Sequence, residues 1–188
     1  MKKSILGFIA IFLLILSPLP EISLAEQAYL SNVVLTNSKD HMLVYFSVNN
    51  CFTPEMNKAI DSGLQTTFTF FIHLYEKRSF WWDKKIVNKK ISHSIKYNHL
   101  KKNYELKLSE NKDQALTVNE FEKARELMAE VAAVKVLEMN KLKKGRSYQL
   151  QLMAELDKIK LPLYLHHILF FLSLWDFETD WYTIDFKH

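Results

Sequence analysis

A chain of 188 residues with 25 Lys/Arg against 21 Asp/Glu and 13% aromatic residues has the size and make-up of one folded domain, which excludes disorder. Its formal net charge of +4 is too small a surplus to mark a nucleic-acid binder. One cysteine excludes a disulfide framework.

The chain opens like a secretory leader. Lys2 and Lys3 are followed by an apolar run from Ile5 to Leu16, then Pro18 and Pro20, and Ser23-Leu24-Ala25 offers the small residues of a cleavage site. A run of about 12 apolar residues is short for a spanning helix, which needs about 20. The expectation is a signal peptide over 1–25 and a single periplasmic β-rich domain over 26–188; an uncleaved leader would act as an N-terminal anchor.

Strand signals dominate the rest of the chain. Tyr29 to Leu35 and the alternating Met42, Val44, Phe46 and Val48 flank the turn-forming Thr36-Asn37-Ser38-Lys39-Asp40, which predicts a hairpin. Thr53-Pro54-Glu55 reads as the start of a short helix and Ser62-Gly63 as its stop. Phe68, Phe70, Ile72 and Leu74 mark the next strand, Val87, Ile91, Ile95 and Tyr97 another, and Tyr104, Leu106 and Leu108 the third of a meander.

Thr117 to Glu120 reads as a capping box before a helix with Phe121, Ala124, Met128 and Val131 on one face. Tyr148 to Leu156 alternates as a strand. Leu161 to Trp175, led by Pro162, is apolar but short for a span, and Tyr182, Ile184 and Phe186 alternate again. The expected class is α+β, β-rich: an antiparallel sheet or sandwich with two or three inserted short helices.

Motifs for chemistry are scarce. Beyond the leader only Gly63 and Gly145 remain, so phosphate loops, dinucleotide fingerprints and nucleophile elbows have no glycines to build them. The seven histidines form no H-E-x-x-H, and the adjacent His166 and His167 would diverge by about 100° on a helix. His73 is expected opposite residue 88 of the next strand. Glu76 near Asp83, and Asp176, Glu178 and Asp180 beside Trp175 and Trp181, are carboxylates that a glycosidase would need in pairs; their alternate spacing fits a solvated strand edge better. Cys51 beside Phe52 is expected to be buried. No catalytic residue, metal site or cofactor is expected, and the chain reads as a protein that is not an enzyme.

The stretch "RSFWWDKKIVNKKISHSIKYNHLKKNYELKL" carries the remaining signal. On a strand after Asp83, Lys84, Asn88, Lys90, Ser92, Ser94 and Lys96 share a polar face opposite Val87, Ile91 and Ile95. Such a face keeps a sheet soluble; it is also a surface for an acidic partner or anionic lipid heads. Adjacent tryptophans on an extended segment point to opposite sides, so Trp81 and Trp82 cannot both be core, and the exposed one is an interface anchor. The candidate partner-binding residues are therefore Trp81, Trp82, Lys84, Lys90 and Lys96.

The segments "LSNVVLTN", "MNKAIDSGLQTTF", "RSFWWD", "KLPLYL" and "WDFETDWYTIDF" resemble, through nearly the whole exported chain, the bacterial exported family known as domain of unknown function 4390. These are aromatic landmarks and not a catalytic signature. The resemblance implies an envelope protein, with genes often beside sensor histidine kinases, and hence docking on the outer part of such a kinase. "LYLHHILFFLSL" is more apolar than its counterparts in that family. The alternative is an envelope lipid or surface binder using Leu163 to Leu174 with the lysine-rich strand face.

Overall fold

A computed structural model describes residues 27–111, 114–157 and 177–188. Strands β1 (Tyr29–Asn37) and β2 (His41–Asn49) form the expected hairpin, its turn closed by Ser38 N–H donating to the His41 carbonyl at 2.8 Å. Helix α1 (Pro54–Asp61) starts where threonine and proline require it: the Met56 N–H donates to Thr53 Oγ1 at 3.2 Å, and Pro54 occupies the first turn, where no N–H is needed. Gly63, at φ +85°, lets its own N–H reach the Ile60 carbonyl and that of Leu64 reach Ala59, so the helix ends in a left-handed glycine cap.

Strands β3 (Thr66–Glu76), β4 (Lys84–Asn98) and β5 (Asn103–Leu108) form the meander. After them come β6 (Ala115–Val118), α2 (Phe121–Ala129), β7 (Glu130–Glu138), β8 (Ser147–Leu156) and β9 (Tyr182–Lys187). Pairing is antiparallel throughout, in a three-stranded sheet β1-β2-β7 and a six-stranded sheet β6-β5-β4-β3-β8-β9. The two sheets pack as a sandwich. Val44, Phe46, Val131 and Val134 of the smaller meet Phe68, Phe70, Ile72, Leu150 and Leu152 of the larger, and Phe46 sits edge-on to Phe70 at 5.7 Å between centroids. The helices add Met56, Ile60, Ala124 and Met128 to the same core. The α+β, β-rich class is thus the observed one.

Two expectations fail after β5. Thr117 lies in β6, α2 is preceded by Glu120, and no side chain caps that end, so there is no capping box. Val131 belongs to β7, a strand whose pattern imitates a helix. Buried Ala124, Met128, Val131 and Val134 are spaced by four, three and three, yet Val131 and Val134 pair with Phe46 and Val44 across a bulge that includes Ala133 at φ +54°. One extra residue stretches a period of two to three. The leader over 1–25 and the apolar stretch Leu161 to Trp175 lie outside the described residues. Among the described residues, no helix is long and apolar enough to cross a membrane.

Candidate functional site

Between β3 and β4 the chain leaves the sheet for seven residues and is clasped at its base. Lys77 Nζ lies 2.8 Å from Asp83 Oδ2, and the Arg78 N–H donates to Asp83 Oδ1 at 3.1 Å. Hydrogen bonds from Lys77 and then Arg78 hold the Asp83 carboxyl below the usual carboxylate range. Above the clasp stand Phe80, Trp81 and Trp82, exposed to 93%, 80% and 94%. The segment is a loop and not a strand, so it has no sheet face to alternate about, and both tryptophans face water. Phe80 joins them, a third aromatic residue that pattern reading passed over.

The lysines do not share one face. Leu74 pairs with Val87 but Tyr75 with Lys85, so Ile86 is an extra residue and the alternation slips at that point. Lys90 and Lys96 stay on the open face, Lys90 Nζ lying 4.4 Å from the Phe71 ring centroid and Lys96 opposite Glu105. Lys84 pairs with the buried Glu76 on the core-side face, and Lys85 takes the open face beside Tyr75. At about 3.3 Å per residue, Lys90 is about 20 Å and Lys96 about 40 Å along the strand from Lys84. The structure therefore brings Trp81, Trp82 and Lys84 together, with Lys77, Arg78 and Lys85, and leaves Lys90 and Lys96 apart.

The open face of the larger sheet has its own arrangement. His73 pairs with Asn88, as expected, and the Trp181 ring stacks on it at 4.9 Å; burial and then Lys85 hold His73 below the ordinary histidine range. Further along, a depression of about 860 Å³ is lined by Thr69, Lys90, Ser92, Glu155, Asp157 and Glu178, among others. Burial, then the charges of Asp157 and Glu178, push the Glu155 carboxyl above its ordinary range, while Lys90 opposes them. Thr69 Oγ1 donates to Asp157 Oδ1 at 2.6 Å, and Glu155 bridges Glu178 through the backbone. These carboxylates are tied to neighbours within the fold. Among the carboxylates a glycosidase would need, Asp83 is held by Lys77, Glu76 faces Arg146 at 3.9 Å, and Asp176 lies outside the described residues.

Cys51, expected to be buried, and His93 both serve the fold. Cys51 is buried, its Sγ 3.4 Å from the Val48 carbonyl, and burial pushes its thiol up to about 12. His93 is fully buried between Phe70 and the end of α2: Nδ1–H donates to the Met128 carbonyl at 3.0 Å, and Nε2 lies 2.7 Å from Glu110 Oε1. Burial raises the Glu110 carboxyl, but the hydrogen bond and charge of His93 outweigh it and hold the group below the ordinary range. No spacing rule points to Glu110, which lies on a 3-10 turn at Ser109–Asn111. Among the described residues no group of three His, Cys, Asp or Glu side chains is placed to hold a metal ion; His166 and His167 lie outside them.

No curated protein and no solved structure matches the chain. One family model does, over residues 25–185, which takes in both sheets, both helices and the aromatic tip. The chain belongs to the family described as Domain of unknown function (DUF4390).

Proposed function

We propose that this protein is an exported, non-enzymatic interaction module that docks on a component of the bacterial envelope through the Phe80–Trp82 tip. The observation that carries the reading is three consecutive large aromatic side chains, each at least 80% exposed, on a loop clasped at its base by Lys77 and Asp83. A tryptophan held in water forgoes a burial worth about 1.5–3 kcal/mol for a large apolar side chain. Tryptophan is also enriched among the side chains that dominate interfaces. Nearby Lys84 and Lys85 supply the polar rim, and Lys90 and Lys96 fall outside it.

A photo-reactive residue placed at Trp81 and at Trp82, in separate strains of the native host, tests the docking. Discrete adducts at both positions support it, because both side chains face outward on one loop. An envelope protein, such as the outer part of a sensor histidine kinase, and a lipid are each detectable this way. Absence of any adduct at either position counts against docking through the tip.

A further inference from the structure

Resting on that reading, we infer that the tip's occupant is the surface of a bilayer carrying anionic headgroups, with Phe80, Trp81 and Trp82 at the headgroup level. Charge is the first argument. Lys77, Arg78, Lys84 and Lys85 flank the tip, and the same end of the larger sheet gathers four more cations from elsewhere in the chain. The Lys77 N–H donates to the Ser147 carbonyl at 2.9 Å, Ser147 pairs with Lys187, and the loop before it carries Lys143, Lys144 and Arg146, all exposed. Eight Lys/Arg thus face three carboxylates there, Glu76, Asp83 and Asp185. For the whole chain the surplus is only +4. Eight against three leaves +5 at this end, more than the +4 of the whole chain, so the remainder is close to neutral and the local surplus suits an anionic surface within a Debye length.

Shape is the second argument. A protein pocket selects one anchor of defined outline, packed and desolvated on all sides. Three consecutive residues that each expose at least 80% of their surface make a broad apolar tip and not a single anchor. An interfacial layer imposes no outline. It accepts amphipathic rings at the headgroup level while Lys and Arg behind them reach phosphates. Anchoring of this kind is superficial and reversible.

Co-sedimentation with vesicles tests the assignment, using phosphatidylcholine with about one-third phosphatidylglycerol against phosphatidylcholine alone. The anionic vesicles should bind about tenfold more tightly or better, with the advantage falling as salt rises. Trp81→Ala with Trp82→Ala should weaken that binding by about tenfold, and Lys84→Glu with Lys85→Glu should abolish the preference for phosphatidylglycerol. Vesicle-borne brominated acyl chains should quench tryptophan emission in the wild-type chain and less in the double tryptophan variant, which far-ultraviolet circular dichroism should show to be folded. Equal binding to both vesicle types, or undiminished binding by the tryptophan variant, overturns the lipid assignment. Discrete protein adducts in cells alongside such a vesicle result would leave the docking tip standing with a protein partner. A lack of adducts as well would remove both.

Discussion

Two sets of aromatic side chains, one on strand β3 and one on the loop that follows it, have opposite fates. Phe68 and Phe70 of β3 are fully buried, with Phe70 packed against Phe46 and His93, whereas Phe80, Trp81 and Trp82 beyond the end of that strand stand in water. The first set holds the two sheets together. The second contributes little to folding, since its apolar area is as exposed in the native chain as in the unfolded one. Side chains that stabilise the fold and side chains left in water are separated here by one clasp, Lys77 to Asp83.

The largest expected effect lies in the buried set. Phe70→Ala should cost about 3–5 kcal/mol, through lost transfer energy and the cavity left between the sheets, measured by urea unfolding. Next is the polar core: His93→Ala should cost about 3 kcal/mol, because it opens a space beside Phe70 and leaves the Glu110 carboxylate without its partner.

That pair also sets a direction in pH. The folded Glu110 carboxyl is depressed, so its contribution is fully present above the ordinary glutamate range near about 4.3 and is lost as pH falls through its own lower value. Glu110→Gln should therefore lower stability at neutral pH and flatten the acid limb of a stability-versus-pH curve; an unchanged acid limb would detach the pair from acid unfolding. Cys51 gives a smaller, kinetic readout. With its thiol pushed up to about 12 and buried, it should resist alkylation at pH 8 in the native protein and react once urea unfolds the chain. The smallest stability effect belongs to the tip, where Trp81→Ala and Trp82→Ala should each move the melting temperature by less than about 2 °C.

Much of the fold is readable from the residues. Threonine, proline and glycine set both ends of α1, and alternation locates β2, β3, β5 and β8 with their buried faces. His73 falls opposite residue 88 because counting outward from a turn near Phe80 gives the register to within a residue. Counting fails wherever a strand takes an extra residue. The bulge at Ile86 turns Lys84 away from Lys90 and Lys96, and the bulge at Ala133 gives β7 a helix-like spacing. The tip is legible as a pair of tryptophans, but not as a loop exposing both, since an extended segment would show only one.

The cationic end is not legible at all. Its members come from four stretches of sequence that only the strand order β4-β3-β8-β9 brings together. Composition gives the total charge of a chain, and topology decides where that charge is concentrated.

The most direct test of the account measures melting temperature and envelope docking on one protein, the Trp81→Ala, Trp82→Ala double variant, beside the wild type. The account predicts a melting temperature within a few degrees of wild type (about 2–4 °C at most) and loss of the docked fraction recovered with the envelope. A large fall in melting temperature, or docking that survives the double substitution, would contradict it.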